Sequence, residues 1–123
     1  MPFYGGNVIY KTEIETPNCS AVIRANYFRG ALIKVLIDGK DKGVIAFSPY
    51  KLRVDGLTKG KHTVEFVLFG TRINTFGGMH NVTQPKWVGP NFWRSNDYRW
   101  CYEYVLKDTG ILSSPVIEIY ENR

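Results

Sequence analysis

Along most of the chain, apolar side chains recur at every second position, and this alternation constrains the fold more than any other feature. Val8, Tyr10, Thr12 and Ile14 alternate with charged residues at positions 11, 13 and 15, and residues 62–69 repeat the pattern. A period of two is that of a β-strand, whose successive side chains point to opposite faces. No segment shows the 3.6-residue spacing of an amphipathic helix. The pattern therefore predicts an all-β fold without helices.

The alternating segments divide the chain into about eight strands. The predicted strands cover residues 8–15, 21–27, 31–37, 44–47, 51–55, 62–69, 98–106 and 116–120. Residues 31–37 are almost wholly apolar, which suits a central strand covered on both faces for most of its length. In the last strand, Ile117 and Ile119 are predicted to point inward. Short strands at regular spacing predict one antiparallel β-sandwich or jelly roll spanning residues 1–123.

The longest gap between strand patterns, residues 70–97, is the best candidate for a functional segment. Hairpin loops usually have about 2–5 residues, and much longer loops in a compact domain are disordered or functional. Disordered chains are poor in aromatic residues, whereas this segment holds Phe76, Trp87, Phe92 and Trp93. We therefore predict an ordered loop, packed by its own side chains, at which any ligand or partner binds.

The composition of this loop suits two roles, which the sequence leaves open. Aromatic faces pack against the C–H surfaces of sugars, while Asn, Arg and Asp groups bond their hydroxyls. The same rings can instead anchor the loop or dock on another domain. The candidate carbohydrate- or domain-contacting residues are Arg72, Asn74, His80, Trp87, Asn91, Trp93, Arg94 and Asp97.

We predict no catalytic residue. Glycosidic hydrolysis needs two carboxylates that face each other across a cleft. Asp97 adjoins the loop and Glu103 is placed to approach it, but most acidic residues lie in turns or on solvent faces. A nucleophile and base could form from Cys101 and His80, although Cys101 lies inside a predicted strand. A small enzyme remains a third reading.

The sequence also predicts no metal site and no cofactor. No Cys-x-x-Cys or paired-histidine spacing is present. Calcium binding through turn carbonyls with Asp38 or Asp41 stays open, without the spacing of an EF-hand. We expect Cys19 and Cys101 to be separate free thiols, with one disulfide as the alternative.

Charge and hydropathy limit the classes of partner. The net charge of +5 permits nucleic-acid binding, but the lysines flank turns, where charges are usually solvated. No apolar run approaches the ~20 residues that span a membrane. The start, MPFYGGN, lacks a signal peptide's basic and apolar regions. We predict no nucleic-acid or membrane partner, and a location that is cytoplasmic or set by a missing N-terminal segment.

Two stretches carry a resemblance to a known family. The run ALIKVLIDGKDKGVIAFSPYKLRVDGLTKGKHTVEFVLFG resembles the galactose-binding-like jelly roll that family 2 glycoside hydrolases carry as a sugar-binding domain. The stretches TRINTFGGMHN, WVGPNFWR and WCYEYVLKDTGILSSPVI are similar to the C-terminal β-sandwich of large bacterial glycoside-hydrolase-like proteins, including α-L-rhamnosidase-like ones. The matching motifs are the hydrophobic-Asp-Gly turn at residues 37–39, the Gly-x-hydrophobic return at 43–45, and the strand entry at Leu57, Gly60, His62 and Val64.

The resemblance implies an excised C-terminal module of a larger enzyme, whose catalytic domain is a separate barrel. No catalytic residue of the family maps onto this chain. The implied function is a non-catalytic accessory module that docks on, or shapes the cleft of, a glycoside hydrolase catalytic domain in the same parent chain. The alternative is a freestanding carbohydrate-binding module that uses residues 70–97. If the loop docks on a partner domain, the isolated module is expected to form a homodimer through that surface.

Overall fold

The computed structural model describes residues 2–82 and 99–121. Its elements are β1 (Val8–Thr16), β2 (Cys19–Arg24), β3 (Phe28–Arg29), β4 (Leu32–Ile37), β5 (Lys40–Ile45), β6 (Lys51–Leu57), β7 (Gly60–Phe69), α1 (Ile73–Phe76), β8 (Gly110–Ile111) and β9 (Val116–Glu121). Every pairing between these strands is antiparallel. The predicted all-β class is confirmed. The prediction that the chain has no helix is wrong, because the one-turn helix α1 lies at the start of the long loop.

Two sheets pack face to face around one core. The four-stranded sheet has the order β1-β7-β4-β5, and the three-stranded sheet has the order β6-β2-β9. Strands β3 and β8 form a small third sheet. The alternating residues of each strand supply the core, which consists of Cys19, Ala21, Ile23, Ala25, Ile33, Val35, Ile37, Ile45, Val54, Leu57, Val64, Phe66 and Leu68. Burial of these side chains is the main force that holds the sandwich together.

Strand β4 lies between β7 and β5, as its apolar sequence predicts. One face, with Ile33 and Val35, is fully buried, whereas the opposite face is only half-buried. Coverage on both faces was therefore overestimated. The β4–β5 turn follows its sequence closely, since Asp38 and Gly39 have φ angles of 51° and 74°. Positive φ at both central residues matches the right-handed twist of a two-residue hairpin.

The strand entry motif of the resemblance has a structural role. His62 is 9% exposed, and its Nδ1 lies 2.6 Å from Asp38 Oδ2 while its Nε2 lies 2.8 Å from the Thr58 carbonyl oxygen. Both neighbours are acceptors, so the doubly protonated imidazolium satisfies them best. The hydrogen bond to Asp38 raises the pKa of His62, and the same bond lowers the pKa of Asp38. The pair ties the β4–β5 turn to the β6–β7 turn.

The predicted strand at residues 98–106 is wrong for its described part. Trp100 forms an isolated bridge with Asn81, and no strand follows it up to Gly110. Backbone amides in this stretch bond loop carbonyls instead of a ladder: Cys101 N–H donates to His80 O (2.8 Å) and Val105 N–H to Met79 O (2.6 Å). Alternation alone does not make a strand, because a strand also needs a neighbour that accepts its hydrogen bonds.

Smaller differences occur at strand ends and edges. Strand β2 ends at Arg24, and Phe47 lies beyond β5 with 85% of its surface exposed. Ile119, predicted inward, is 43% exposed because β9 is the edge strand of its sheet. Among the described residues, Cys19 and Cys101 are both free thiols, as predicted. No helix in the same ranges is long and apolar enough to cross a membrane.

Candidate functional site

The loop that follows β7 begins with α1, and this helix fixes the chain that returns to the sandwich. Asn74 is 3% exposed. Its Nδ2 donates to the Lys107 carbonyl (2.7 Å), and its Oδ1 accepts from the Lys107 amide (2.8 Å). One buried amide therefore satisfies both backbone groups of Lys107 and sets the path of residues 105–109.

The N-terminal segment is joined to the same helix. Thr75 Oγ1 donates to the Phe3 carbonyl oxygen at 2.9 Å. A Cβ placed on Gly70 would lie 2.3 Å from the Gly6 carbonyl oxygen, so the backbone segments around Gly6 and Gly70 are in direct contact. Residues 2–7, the start of the loop and residues 105–109 thus meet at one end of the sandwich.

His80 and Cys101, the pair considered as base and nucleophile, are neighbours, but the imidazole and the thiol each contact backbone carbonyls. His80 Nδ1 donates to the Cys101 carbonyl oxygen at 3.0 Å. The Cys101 thiol lies 3.5 Å from the His80 carbonyl and 3.4 Å from the Glu103 carbonyl. Activation of a thiol requires a base or a positive charge at the sulfur. The imidazole instead holds the backbone of residue 101 in place.

Five rings form what we call the aromatic cluster: Phe3, His80, Trp100, Tyr102 and Tyr104. His80 stacks near-parallel on Trp100 with centroids 5.7 Å apart, and lies 4.7 Å from Tyr104. Trp100 contacts Tyr102 edge-on at 4.3 Å, and Phe3 contacts Tyr104 at 5.1 Å. Tyr102 is 85% exposed and Tyr104 is 57% exposed. Trp100, Tyr102 and Tyr104 therefore belong to an exposed surface, and not to a strand as predicted for residues 98–106.

The structure describes three of the eight predicted contact residues. Arg72 is exposed, and its carbonyl caps the first turn of α1 by accepting from the amides of Thr75 and Phe76. Asn74 is buried against Lys107, and His80 belongs to the aromatic cluster. The other five predicted contact residues lie outside the described residues: Trp87, Asn91, Trp93, Arg94 and Asp97.

A cleft of about 540 Å³ opens at the end of the sandwich where β2, β5 and β7 finish. We call it the Tyr50 cleft. Its aromatic wall consists of Tyr50 and Phe28, whose rings meet at 90° with centroids 5.6 Å apart. Its polar groups come from Asn26, Arg29, Thr71, Lys107 and Asp108. The volume lies in the range of about 300–1,000 Å³ that is usual for ligand sites.

A second cleft, of about 500 Å³, adjoins the first. We call it the Tyr10 cleft. Tyr4 and Tyr10 contribute its rings; the Tyr10 hydroxyl accepts from the Ile111 amide at 3.1 Å, and the Tyr4 hydroxyl donates to the Asn7 carbonyl at 3.1 Å. Four residues line both clefts and form the shared ridge: Arg29, Thr71, Lys107 and Asp108. Two tyrosine-lined clefts therefore flank one polar ridge.

Sequence reasoning missed the ridge because its members are far apart in the chain. Arg29 lies in the gap between the strands predicted at residues 21–27 and 31–37, and Lys107 and Asp108 follow the strand predicted at residues 98–106. Their meeting with Arg29 requires the β3–β8 pairing, which joins Arg29 to Gly110 and has no sequence signature.

The described acidic residues do not form a catalytic or metal constellation. Among the residues that the structure describes, Asp108 is the one carboxylate that lines these two clefts. Within the described ranges, no group of three His, Cys, Asp or Glu side chains is placed to hold a metal ion. Asp41, considered for calcium, forms an ion pair with Lys34 at 2.9 Å and accepts from the Gly43 amide; the bond to Lys34 is the main reason that its pKa is lowered.

Comparison with known proteins finds this architecture among solved structures and not through sequence matches. No protein-family model matches the chain, and no curated protein matches its sequence. Among solved structures, the chain superposes on a rhamnosidase from Novosphingobium sp. PP1Y with a TM-score of 0.64 and 19% identity. The fold is that of a segment of a glycoside hydrolase. The alignment covers 94% of this chain and 11% of that chain, so this chain spans about a tenth of the enzyme's length.

A second solved structure also shares part of the fold. A GH2 beta-galacturonidase from Eisenbergiella tayi, bound to galacturonate, matches with a TM-score of 0.43 and 22% identity. The match covers 52% of this chain and 12% of that chain. The β-sandwich fold predicted from the family resemblance is shared by this segment of the rhamnosidase.

Proposed function

We propose that this chain is a non-catalytic β-sandwich module of a carbohydrate-active enzyme, which docks on the catalytic domain of its parent chain or shapes that domain's substrate cleft. The observation that carries the proposal is the unequal coverage of the rhamnosidase match. Nearly the whole chain, 94%, aligns with only 11% of the enzyme. The same fold thus serves there as one part of a much longer polypeptide. Fold alone does not establish function, so the site must support it.

The carboxylates of the clefts support a non-catalytic role. Retaining and inverting glycosidases both place two carboxyl groups on either side of the scissile bond. Among the described residues, Asp108 lines both the Tyr50 and the Tyr10 cleft, and no second acidic residue lines either one. A single acid cannot divide the roles of proton donor and nucleophile or base. On this proposal, substrate hydrolysis belongs to another domain of the parent chain.

The aromatic cluster is the surface best suited to docking on that domain. Tyr102 and Tyr104 are mostly exposed, and Trp100 is 40% exposed, although aromatic side chains usually lose their contact with water. Contiguous exposed rings mark interaction surfaces in soluble proteins. Tyrosine and tryptophan are also the residues that contribute most to binding at protein interfaces.

Hydrolysis and self-association test this proposal together. The isolated chain should not release nitrophenol from a panel of nitrophenyl glycosides, and activity that Asp108→Asn removes would overturn the non-catalytic role. Sedimentation velocity should detect self-association at high protein concentration. Tyr102→Ser should weaken it, while Tyr120→Ser, which removes a tyrosine from β9, should not. Equal behaviour of the two variants would contradict docking through the aromatic cluster.

The second candidate is a freestanding carbohydrate-binding module, and the paired clefts favour it. A glycan array with the wild-type chain beside Trp93→Ala tests the version that uses residues 70–97. Binding that disappears in a folded variant supports that version. Binding that persists in Trp93→Ala excludes Trp93 and directs attention to the clefts.

A further inference from the structure

We propose that the Tyr50 and Tyr10 clefts form one continuous binding groove for a short acidic oligosaccharide, whose carboxylate is held by Arg29 and Lys107 on the shared ridge. The inference deepens the carbohydrate-related function above and rests on it. The site is formed mainly by residues outside the loop at 70–97, and only the first residues of that loop, such as Thr71 and Asn74, line it.

The first step is the shape of the groove. The clefts have volumes of about 540 and 500 Å³ and share four lining residues, so a ligand that crosses the ridge enters both. Each cleft is large enough for a sugar ring, given the range of about 300–1,000 Å³ for sites that hold whole ligands. An oligosaccharide, unlike a compact metabolite, has the length to occupy both clefts and present one unit to the ridge.

The second step is the nature of the walls. Each cleft offers an aromatic surface: Tyr50 with Phe28 on one side, and Tyr4 with Tyr10 on the other. All four rings are held by specific contacts, since Phe28 packs on Tyr50, the Tyr10 hydroxyl accepts from the Ile111 amide, and the Tyr4 hydroxyl donates to the Asn7 carbonyl. Rings fixed before binding lose little conformational freedom when a ligand packs against them. Aromatic faces alternating with polar groups fit a chain of pyranose rings.

The third step is the charge of the ridge. Within the described ranges, Arg29, Lys107 and Asp108 form no ion pair, and no hydrogen bond uses their side chains. Two cations against one carboxylate leave an excess positive charge at the centre of the groove. The guanidinium binds carboxylates through two parallel hydrogen bonds, which selects a planar anion. Asp108 and Asn26 remain to bond hydroxyl groups.

The fourth step is the positioning of the cations. The Arg29 guanidinium carbon lies 5.0 Å from the centre of the Tyr27 ring, a cation–π distance that orients this otherwise exposed side chain. Lys107 is held through its backbone, because Asn74 bonds both its amide and its carbonyl. The Lys107 ammonium is therefore free for a ligand while its attachment point is fixed. The ridge is built before any ligand arrives.

Isothermal titration calorimetry of the full chain tests the proposal. The probes are short oligomers of mannuronate, galacturonate and glucuronate, each beside its neutral counterpart from mannose, galactose or glucose. We expect at least one uronate oligomer to bind, and to bind about tenfold or more tightly than its neutral counterpart, because a hydrogen bond to a charged group contributes more than a neutral one. The advantage should shrink as salt is raised.

Matched variants locate the site. Arg29→Gln with Lys107→Gln removes both cations and should weaken uronate binding by about tenfold or more. Lys40→Gln with Lys61→Gln lowers the net charge equally at the opposite end of the sandwich and should leave the affinity unchanged. Lys107→Gln alone serves if the double variant does not fold, because the Asn74 bonds use only the backbone of residue 107.

The outcomes separate this inference from the proposed function. Uronate binding that both double variants reduce equally, or neutral oligomers bound as tightly as uronates, would overturn the acidic groove while leaving a carbohydrate-binding module. No binding to any oligomer would also overturn the groove. The docking role would then still be decided by the sedimentation experiment with Tyr102→Ser.

Discussion

Replacement of Asn74 by alanine should destabilise the segment that carries the ridge. The Asn74 amide makes two hydrogen bonds of 2.7 and 2.8 Å to the backbone of Lys107 and is 3% exposed. Each buried hydrogen bond contributes about 1 kcal/mol net, and a partner left unsatisfied adds about 1–3 kcal/mol where water cannot reach it. Alanine offsets up to about 0.7 kcal/mol through its higher helix propensity in α1. We expect a loss of about 2–3 kcal/mol.

Two assays distinguish a global from a local effect. Urea unfolding measures the free energy of the whole domain, while amide hydrogen exchange reports on local opening. If residues 105–109 open independently, the amides of Val105 and Lys107 should lose protection even where the global free energy changes little. Asn7→Ala is the matched control, because Asn7 is exposed and only its carbonyl accepts a hydrogen bond. It should change neither measurement.

The reasoning would be refuted by one clear result. If Asn74→Ala unfolds within about 0.5 kcal/mol of the wild type, the range of an ordinary surface substitution, and leaves the Val105 and Lys107 amides protected, then Asn74 does not hold this segment. Retained uronate affinity in Asn74→Ala would show, in addition, that the Lys107 side chain reaches its ligand without that support.

Three further predictions concern the sandwich itself. Because the pKa of His62 is raised, this group stabilises the fold below pH 6.5, and that stabilisation is lost as pH rises through the raised pKa. Because the pKa of Asp38 is lowered, the carboxylate stabilises the fold above pH 3.8, and that stabilisation is lost as pH falls through the lowered pKa. Urea unfolding should therefore show lower stability at about pH 8.5 than at about pH 5.5, with a smaller difference in His62→Gln; a difference of unchanged size in the variant would exclude this pair as its source. Gly70→Ala places a Cβ 2.3 Å from the Gly6 carbonyl and should cost about 1–3 kcal/mol by thermal denaturation; an unchanged melting temperature would mean that the N-terminal segment yields freely. Ile33→Ala, in a fully buried position, should cost about 3 kcal/mol by urea unfolding, and a loss below about 1 kcal/mol would show that the core collapses around it.

Local sequence rules predicted much of the sandwich because its strands obey them. The alternation in residues 62–69 places Val64, Phe66 and Leu68 in the core, since β7 has a neighbour on each side and a sheet behind it. The turn at Asp38 and Gly39 formed as expected because its residue types accept positive φ. Where backbone chemistry is satisfied within a hairpin, the sequence is sufficient.

The aromatic alternation of residues 98–106 shows where local rules fail. Trp100, Tyr102 and Tyr104 have the spacing of a strand face, yet the amides around them bond His80 and Met79 carbonyls. Pairing is a property of two chain segments, so one segment cannot reveal whether a partner is present. The three rings are therefore exposed, although their spacing is typical of a strand in a sheet.

By itself, the sequence determined the all-β class of the fold, the positions of most strands in the two large sheets and the turn at Asp38 and Gly39, because these depend on residues close together in the chain. Only the tertiary structure decided which residues line the two clefts at the end of the sandwich. The ridge of Arg29, Thr71, Lys107 and Asp108 exists because β3 pairs with β8 and because Asn74 holds residue 107. These contacts join distant segments, and their chemistry is ordinary backbone hydrogen bonding, which every sequence offers and no local pattern assigns.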